Sequence, residues 1–222
     1  MRLLDKDIEL VIFDLDGTLI ASTSLWADID CEFFKSHGMD VPPTYAKEIA
    51  HIGLNSAAIL TRDKYLPFLT TDEIKKQWND LAIEAYEKHI PLKENALELL
   101  RLLKENNVKI ALATANSEEL YLPCLLRLDI HKYFDLIIDV NSCVDGKNSP
   151  EIYDRVCAKF GVKRENALVV EDMLQPLMTA YNNGYNVIAM YDKHSTTHLE
   201  ENQKYCHKLI YNFDEIIKEI KK

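Results

Sequence analysis

Six short runs of apolar, largely β-branched residues recur along the chain, and segments with helical periodicity separate them. The runs occupy residues 10–14, 108–114, 136–140, 167–171, 186–191 and 208–212. They are apolar on both faces, which is typical of strands that helices cover on both sides. Because helical segments alternate with these strands, the pattern predicts an α/β fold with a doubly wound, mostly parallel sheet.

Polar residues and glycines mark the ends of two predicted helices. Ser149 and Pro150 suit the N-cap and first turn of one helix, and Gly161 closes it. Asn183 and Gly184 end the next helix in the same way. These boundaries place loops before the fourth and the fifth predicted strands.

The stretch 22–90 differs from the rest, because it has helical periods without a convincing strand. Its apolar residues at helical spacing are Leu25, Ile29, Phe33, Ile74, Trp78, Leu81 and Ala85. We therefore predict a helical domain at 21–91, inserted into an α/β core made of 1–20 and 92–222. An insertion after the first strand overhangs the carboxyl ends of the strands, where open α/β sheets bind ligands, so we interpret it as a cap. Trp26 and Trp78 are placed on its apolar faces.

Composition and charge exclude several classes of protein. Of 222 residues, 47% are hydrophobic and 28% charged, which is typical of a globular chain. The net charge of −10 repels nucleic acid and anionic membranes, and no basic stripe offsets it. No apolar stretch is long enough to span a bilayer, and the first residues lack a signal-peptide pattern, so we expect a cytoplasmic protein. The sequence leaves the oligomeric state open, and a monomer is compatible with it.

The cysteines and histidines predict neither a disulfide framework nor a zinc site. The five cysteines are odd in number, widely spaced and without a Cys-x-x-Cys pair. The stretch 192–198 contains His194 and His198, but it lacks a third obvious ligand. We interpret that stretch as a polar loop that enters a helix.

Two carboxylates stand where the first apolar run meets a glycine. Asp14 and Asp16 flank Leu15, and Gly17 follows directly. A turn at Gly17 brings the two acids to one small site, and such crowding is unfavourable unless a cation or a shared proton relieves it. Mg²⁺ held by carboxylate and backbone oxygens is the usual solution in phosphate chemistry. Taken alone, the segment fits a plain strand followed by an Asp-Gly turn equally well.

Further polar groups follow three other predicted strands. The segment 114–117, Thr-Ala-Asn-Ser, offers a hydroxyl and the free amides of a strand-to-helix turn, which suit a phosphate group. Lys147 lies in a loop just before a capped helix, and Glu171 with Asp172 ends an apolar strand. Taken alone, the segment 114–117 is better explained as a helix cap, and Lys147 as a solvated surface charge. Their order along the chain, each at or beyond a strand end, carries more information than any one of them.

With these residues, the chain resembles the haloacid dehalogenase-like superfamily of phosphoryl-transfer enzymes. The resemblance covers essentially the whole chain, and Asp14-Leu15-Asp16-Gly17-Thr18 is its most specific part. It points to the branch with a helical cap after the first strand, which includes phosphoglycolate phosphatases and β-phosphoglucomutases. It implies a Rossmann-like core and a Mg²⁺-dependent hydrolase that acts on a small phosphate monoester, such as a sugar phosphate, through an aspartyl-phosphate.

The resemblance also implies roles for individual residues. Asp14 matches the nucleophile, and Asp16 matches the general acid and base. Thr114 and the amides around Ala115 and Asn116 match the clamp on the transferring phosphoryl oxygens.

The remaining implied roles concern positive charge at the site. Lys147 matches the cation that balances the nucleophile and the phosphoryl group. Asp172 matches a Mg²⁺ ligand beside Asp14 and the backbone carbonyl of Asp16, with Glu171 close by or bound through water.

Two positions depart from the pattern of the sugar-phosphate mutases in this branch. Those enzymes carry a histidine twelve residues after the nucleophile, where this chain has Trp26. They also carry an arginine three residues after a cap glycine, and counting from Gly53 that position is Ser56. We therefore predict a phosphatase, keep a β-phosphoglucomutase-like mutase as the alternative, and rank a non-catalytic binding or regulatory module last.

Overall fold

A computed structural model describes residues 1–49, 53–143, 145–194 and 199–221, and the chain forms two compact units. The first unit comprises Met1–Thr23 and Ile90–Lys222, and the second comprises Ser24–His89. Among the described residues, no helix is long and apolar enough to cross a membrane.

The first unit is built around a six-stranded parallel sheet, as the apolar runs predicted. A small antiparallel hairpin, whose strands β1 and β2 have two residues each, precedes it along the chain. The strands are β1 Arg2–Leu3, β2 Lys6–Asp7, β3 Leu10–Phe13, β4 Lys109–Thr114, β5 Leu136–Asp139, β6 Ala167–Glu171, β7 Asn186–Met190 and β8 Lys208–Ile210. The sheet order is β5-β4-β3-β6-β7-β8, and every neighbouring pair is parallel. The chain therefore reverses its direction of strand addition between β3 and β6, which is where such sheets bind ligands.

Helices cover both faces of this sheet, so its central strands are fully buried. The helices of the first unit are α5 Ala96–Glu105, α6 Glu118–Arg127, α7 Glu151–Phe160, α8 Leu174–Asn182, α9 Leu199–Lys204 and α10 Asp214–Ile220. Leu10 and Ile12 of β3 join a core cluster with residues of α7 and α8. On the opposite face, Phe13 meets Phe213 at 6.3 Å between ring centroids. The doubly wound α/β prediction is confirmed.

The helix ends agree with the predicted punctuation to within one residue. Gly161 ends α7 with a left-handed φ of +66°. The N-cap of α7 is Pro150 rather than Ser149, whose Oγ accepts a long hydrogen bond of 3.4 Å from the Glu151 amide. A shift of one residue is within the ordinary uncertainty of a helix end.

Among the described residues of the second unit, all regular secondary structure is helical. Its helices are α1 Leu25–Ser36, α2 Tyr45–Ile49, α3 Gly53–Lys64 and α4 Thr71–Lys88. A capping box begins α4, with reciprocal hydrogen bonds between Thr70 and Glu73. Trp78 is buried and packs edge-on against Phe33. The prediction for Trp26 was wrong, because its side chain is 54% exposed. That this unit acts as a cap stays a prediction.

Candidate active site

A tight turn after β3 places the first acidic residues. The Asp14 amide donates to the Val170 carbonyl at 2.9 Å, which extends the pairing of β3 with β6 by one residue. Gly17 has a φ of +78°, a backbone conformation that glycine adopts without strain. Its amide donates to the Ile20 carbonyl at 3.0 Å. The chain therefore leaves the sheet sharply, with the acids at the carboxyl end of the strand.

Gly17 also allows Asp172 to approach the turn. A β-carbon built on Gly17 would lie 2.3 Å from the Asp172 Oδ2 atom, a distance that no side chain tolerates. Next to the glycine, the Thr18 hydroxyl donates to Asp172 Oδ1 at 3.1 Å. The turn after β3 and the loop after β6 are thus in direct contact, as expected at the point where the strand order reverses.

Lys147 lies between two carboxylates. Its ammonium donates to Asp14 Oδ1 and, at 2.9 Å, to Glu171 Oε1. All three side chains are buried. The lysine is therefore a buried charge partner rather than the solvated surface residue that its position in a loop also allowed. When both carboxylates are ionised, the group of Asp14, Lys147 and Glu171 carries one net negative charge, so one positive charge is lacking.

Both carboxylate oxygens of Glu171 accept hydrogen bonds. Oε1 accepts the bond from Lys147, and Oε2 accepts bonds of 2.7 Å from the backbone amides of Asp172 and Met173. Those amides belong to the turn that leads into α8. Glu171 therefore orients Lys147 and closes the turn.

The electrostatic environment raises the pKa of Asp14. Burial moves this pKa from its usual value to about 7, and Lys147 opposes the shift while Glu171 and Asp16 add to it. An ionised Asp14 therefore requires compensating positive charge. The ammonium of Lys147 supplies only part of that charge.

The carboxylate of Asp16 turns to a different set of partners. Ser22 Oγ donates to Oδ1 at 2.6 Å, and Asn116 Nδ2 donates to Oδ2 at 2.5 Å. These two bonds fix the orientation of the Asp16 carboxyl group. Because a hydroxyl both donates and accepts, Ser22 can also accept a bond from a protonated Asp16. Asp14 and Asp16 therefore line the same cavity but have different hydrogen-bond partners.

The turn after β4 begins at Thr114. Thr114 ends the strand, is fully buried, and accepts a 3.1 Å bond on its hydroxyl from the Asn116 amide. Ala115 and the acids Asp14 and Asp16 line one cavity of about 810 Å³. Lys147 and Glu171 line the same cavity. The structure thus brings the residues from all four strand ends to one place.

Three carboxylates are arranged as a group that suits a divalent cation. Asp14, Glu171 and Asp172 each offer an oxygen, and these oxygens lie within 4.8 Å of one another. Carboxylate oxygens are the donors that Mg²⁺ prefers. The charge shortage around Lys147 agrees with the same conclusion. The side chain of Asp16 is not part of this group, since its partners are Ser22 and Asn116.

Two contributors were missed by the sequence analysis. Ser22 was assigned no role, yet its hydroxyl donates to Asp16. Thr18 was quoted only as part of the motif, yet it holds Asp172. A hydroxyl within a few residues of an acid pair was the available signal in both cases.

Two stretches discussed in the sequence analysis, the residues around Gly53 and the residues 192–198, fall partly outside the described residues. His51 and Ile52, which precede Gly53, are not described. Ser195 to His198 of the stretch 192–198 are not described either. Ser56 lies in α3 and is exposed. His194 is described, and its amide donates to Asp192.

Comparison with known proteins places this geometry in a family. A profile of haloacid dehalogenase-like hydrolases matches residues 11–190, which is most of the chain. The chain is 26% identical over 165 residues to a phosphorylated carbohydrates phosphatase of Thermotoga maritima, covering 74% of this chain and 76% of that protein. It is 30% identical over 189 residues to phosphoglycolate phosphatase 1 of Pseudomonas aeruginosa, covering 82% of this chain and 68% of that protein.

Solved structures agree on the fold. A crystal structure from Thermotoga maritima, described as a candidate β-phosphoglucomutase, matches with a TM-score of 0.85 at 24% identity. The match covers 96% of this chain and 99% of that one. At this level of identity the likeness concerns the fold.

Proposed function

The chain belongs to the haloacid dehalogenase-like hydrolases, and from this premise we propose that it is a Mg²⁺-dependent phosphatase of a phosphorylated sugar or similar small metabolite. It is a hydrolase acting on phosphate esters, like the phosphatases it resembles. The observation that carries the proposal is the buried group of Asp14, Lys147 and Glu171 beside Asp172. Burying such a group costs stability, and buried charged groups with perturbed pKa values cluster at functional sites.

Asp14 is the proposed nucleophile. One of its carboxylate oxygens attacks phosphorus, the bond from phosphorus to the ester oxygen breaks, and an aspartyl-phosphate forms. The leaving oxygen takes a proton from the Asp16 carboxyl. The Ser22 hydroxyl and the side-chain amide of Asn116 orient that carboxyl. Asp16, now ionised, then takes a proton from water as that water attacks phosphorus. The bond from phosphorus to Asp14 breaks, which releases inorganic phosphate and restores both acids.

The other residues hold the phosphoryl group and its charge. Lys147 offers an ammonium to the nucleophile and to the phosphoryl oxygens. Thr114 and the amides near Ala115 and Asn116 are proposed to bind the same oxygens. Mg²⁺, held by Asp14, Asp172 and the backbone carbonyl of Asp16 with Glu171 beside them, would supply the positive charge that two anions need in order to react.

The metal role of Asp172 gives a direct test. We expect Asp172→Ala to raise the Mg²⁺ concentration needed for half-maximal activity by about tenfold or more, because a carboxylate ligand is lost. Asp145→Ala is the matched control, since Asp145 lines the same cavity but is not in the carboxylate group. Activity is titrated with Mg²⁺ for each variant. An unchanged Mg²⁺ requirement in Asp172→Ala would place the metal elsewhere.

A phosphomutase is the second candidate, supported by the fold likeness to a candidate β-phosphoglucomutase. Trp26 and Ser56 argue against it, since they stand where the related mutases carry a histidine and an arginine, and that arginine holds the second phosphate. We therefore expect β-glucose 1-phosphate, a bisphosphate primer and Mg²⁺ to yield free phosphate and little glucose 6-phosphate. Both products are measured over time. Primer-dependent isomerisation faster than phosphate release would make the mutase correct.

The general test is a panel of phosphate esters. Phosphate release is measured with sugar phosphates, phosphoglycolate, nucleotides and pyrophosphate in the presence of Mg²⁺. We expect turnover of at least one small monoester. No turnover across the panel, together with retained Mg²⁺ binding, would favour a non-catalytic role.

A further inference from the structure

Two short segments connect the α/β unit to the inserted helices, and they pair with one another. We call residues 19–23 the outgoing linker and residues 90–93 the returning linker. Ile20 and Leu92 form an antiparallel bridge. The Lys93 amide donates to the Leu19 carbonyl at 2.9 Å, and the Ala21 amide donates to the Pro91 carbonyl at 3.0 Å. The linkers therefore form a minimal two-stranded ribbon.

Asp192, which follows β7, binds both linkers. Its Oδ1 accepts a bond of 2.7 Å from the Thr23 hydroxyl, and its Oδ2 forms an ion pair of 2.9 Å with Lys93. Asp192 is buried, and the side chain of Lys93 is only 14% exposed. Burial alone would raise the pKa of Asp192, but bonds from Lys93, Thr23 and the His194 amide hold it at about 2. The carboxylate is therefore charged across the whole useful pH range.

The outgoing linker also reaches the proposed active site. Ser22 precedes Thr23 directly and donates to Asp16. Ser22 of this linker thus binds the proposed general acid, and the next residue, Thr23, binds Asp192. A displacement of the linker would move both contacts together.

We propose that Asp192 is a positioning residue that fixes both linkers to the carboxyl end of β7 and thereby keeps Ser22 in place against Asp16. Its effect on catalysis rests on the proposed function, whereas its effect on the linkers does not. The role differs from that of a local loop cap, which the bond from the His194 amide at 2.9 Å would otherwise suggest. A loop cap would stabilise residues 192–194 alone.

Hydrogen exchange separates these two roles. In Asp192→Asn we expect the amides of Ala21 and Lys93 to exchange about tenfold faster than in the wild type, because charge-assisted bonds to both linkers are weakened. Thr23→Val and Lys93→Met, made singly, should each accelerate the same two amides to a smaller extent. Faster exchange confined to residues 192–194 would overturn the proposal.

Asp154→Asn is the matched control for this measurement. Asp154 also has two charge-assisted bonds, to Arg164, but it lies in α7 away from both linkers. Its loss should leave the exchange of Ala21 and Lys93 unchanged. Acceleration of equal size in this variant would mean that the linker amides report general loosening, which also contradicts the proposal.

Leaving-group dependence tests the catalytic part. Asp192→Asn should lower kcat about tenfold with a sugar phosphate, whose alkoxide needs protonation, and less with an aryl phosphate, which needs little help from an acid. Equal losses on both substrates would exclude positioning of Asp16. If the wild type hydrolyses neither substrate, the proposed function fails, while the exchange measurement still decides the role of Asp192 at the linkers.

Discussion

Asp14→Asn is expected to lower turnover by about 10⁴-fold or more while the fold remains intact. An amide does not attack phosphorus to form an acyl-phosphate, so the first step of the reaction is lost. Lys147 keeps its second partner, Glu171, and one charge leaves an acidic group, so the stability should change little. Turnover is measured with saturating Mg²⁺, and the fold is checked by circular dichroism and thermal unfolding.

Two further variants make the test of Asp14 strict. Asp14→Ala guards against slow conversion of an introduced asparagine back to aspartate. Asp145→Asn removes a carboxylate from the same cavity outside the metal group, and it should retain most of the activity. Near-normal turnover in a well-folded Asp14 variant would remove it from the role of nucleophile.

Lys147→Met should destabilise the protein in a pH-dependent manner. Removing one partner of a buried ion pair costs about 3–5 kcal/mol, because the remaining charge is buried without compensation. Asp14 already has a pKa raised to about 7 with Lys147 opposing the shift, so the variant should raise this pKa further. A raised pKa means that the folded state holds the proton more tightly than the unfolded state. The loss of stability should therefore be larger near pH 8 than near pH 5.5, because above pH 7 the wild type ionises Asp14 beside Lys147, whereas the variant must keep the proton or bury an uncompensated charge.

Denaturant unfolding in the presence of a chelator measures this effect. Lys104→Met is the matched control, since Lys104 pairs with Asp135 at a partly exposed site and should cost about 1 kcal/mol or less. The same Lys147 variant should lose turnover almost completely. A stability loss as small as that of the control, or one that does not depend on pH, would contradict the buried charge arrangement around Lys147.

Much of the fold follows from local pattern. Strands such as β6 are covered on both faces, so the apolar run 167–171 and the observed strand coincide. The small hairpin before β3 was missed because its turn uses Leu4 and Asp5 at positive φ, without the glycine or asparagine that marks such turns. Trp26 was misplaced because helical spacing does not reveal which face of a helix finds a partner.

The candidate site could be predicted from the sequence only in part, and for a different reason. The acids and Lys147 stand at strand ends, and a parallel sheet brings such ends to one edge. Which atoms then meet depends on side-chain packing across long sequence separations. That Lys147 bonds both Asp14 and Glu171, and that Asp192 bonds Thr23 and Lys93, therefore required the structure.

The position of β3 in the sheet has a consequence for synthesis on the ribosome. This strand is made early and is wholly buried, but its two neighbours are β4 and β6. At about 5–20 residues per second, roughly 5–20 s separate the synthesis of Phe13 from that of Leu112, its partner in β4, the first of the two neighbours to be made. During that interval an apolar segment with unpaired backbone groups emerges and waits, while the inserted helices can already pack on one another. The nascent chain is therefore most vulnerable to aggregation before its central strand has a partner, and a chaperone that shields residues 10–13 would act at that stage.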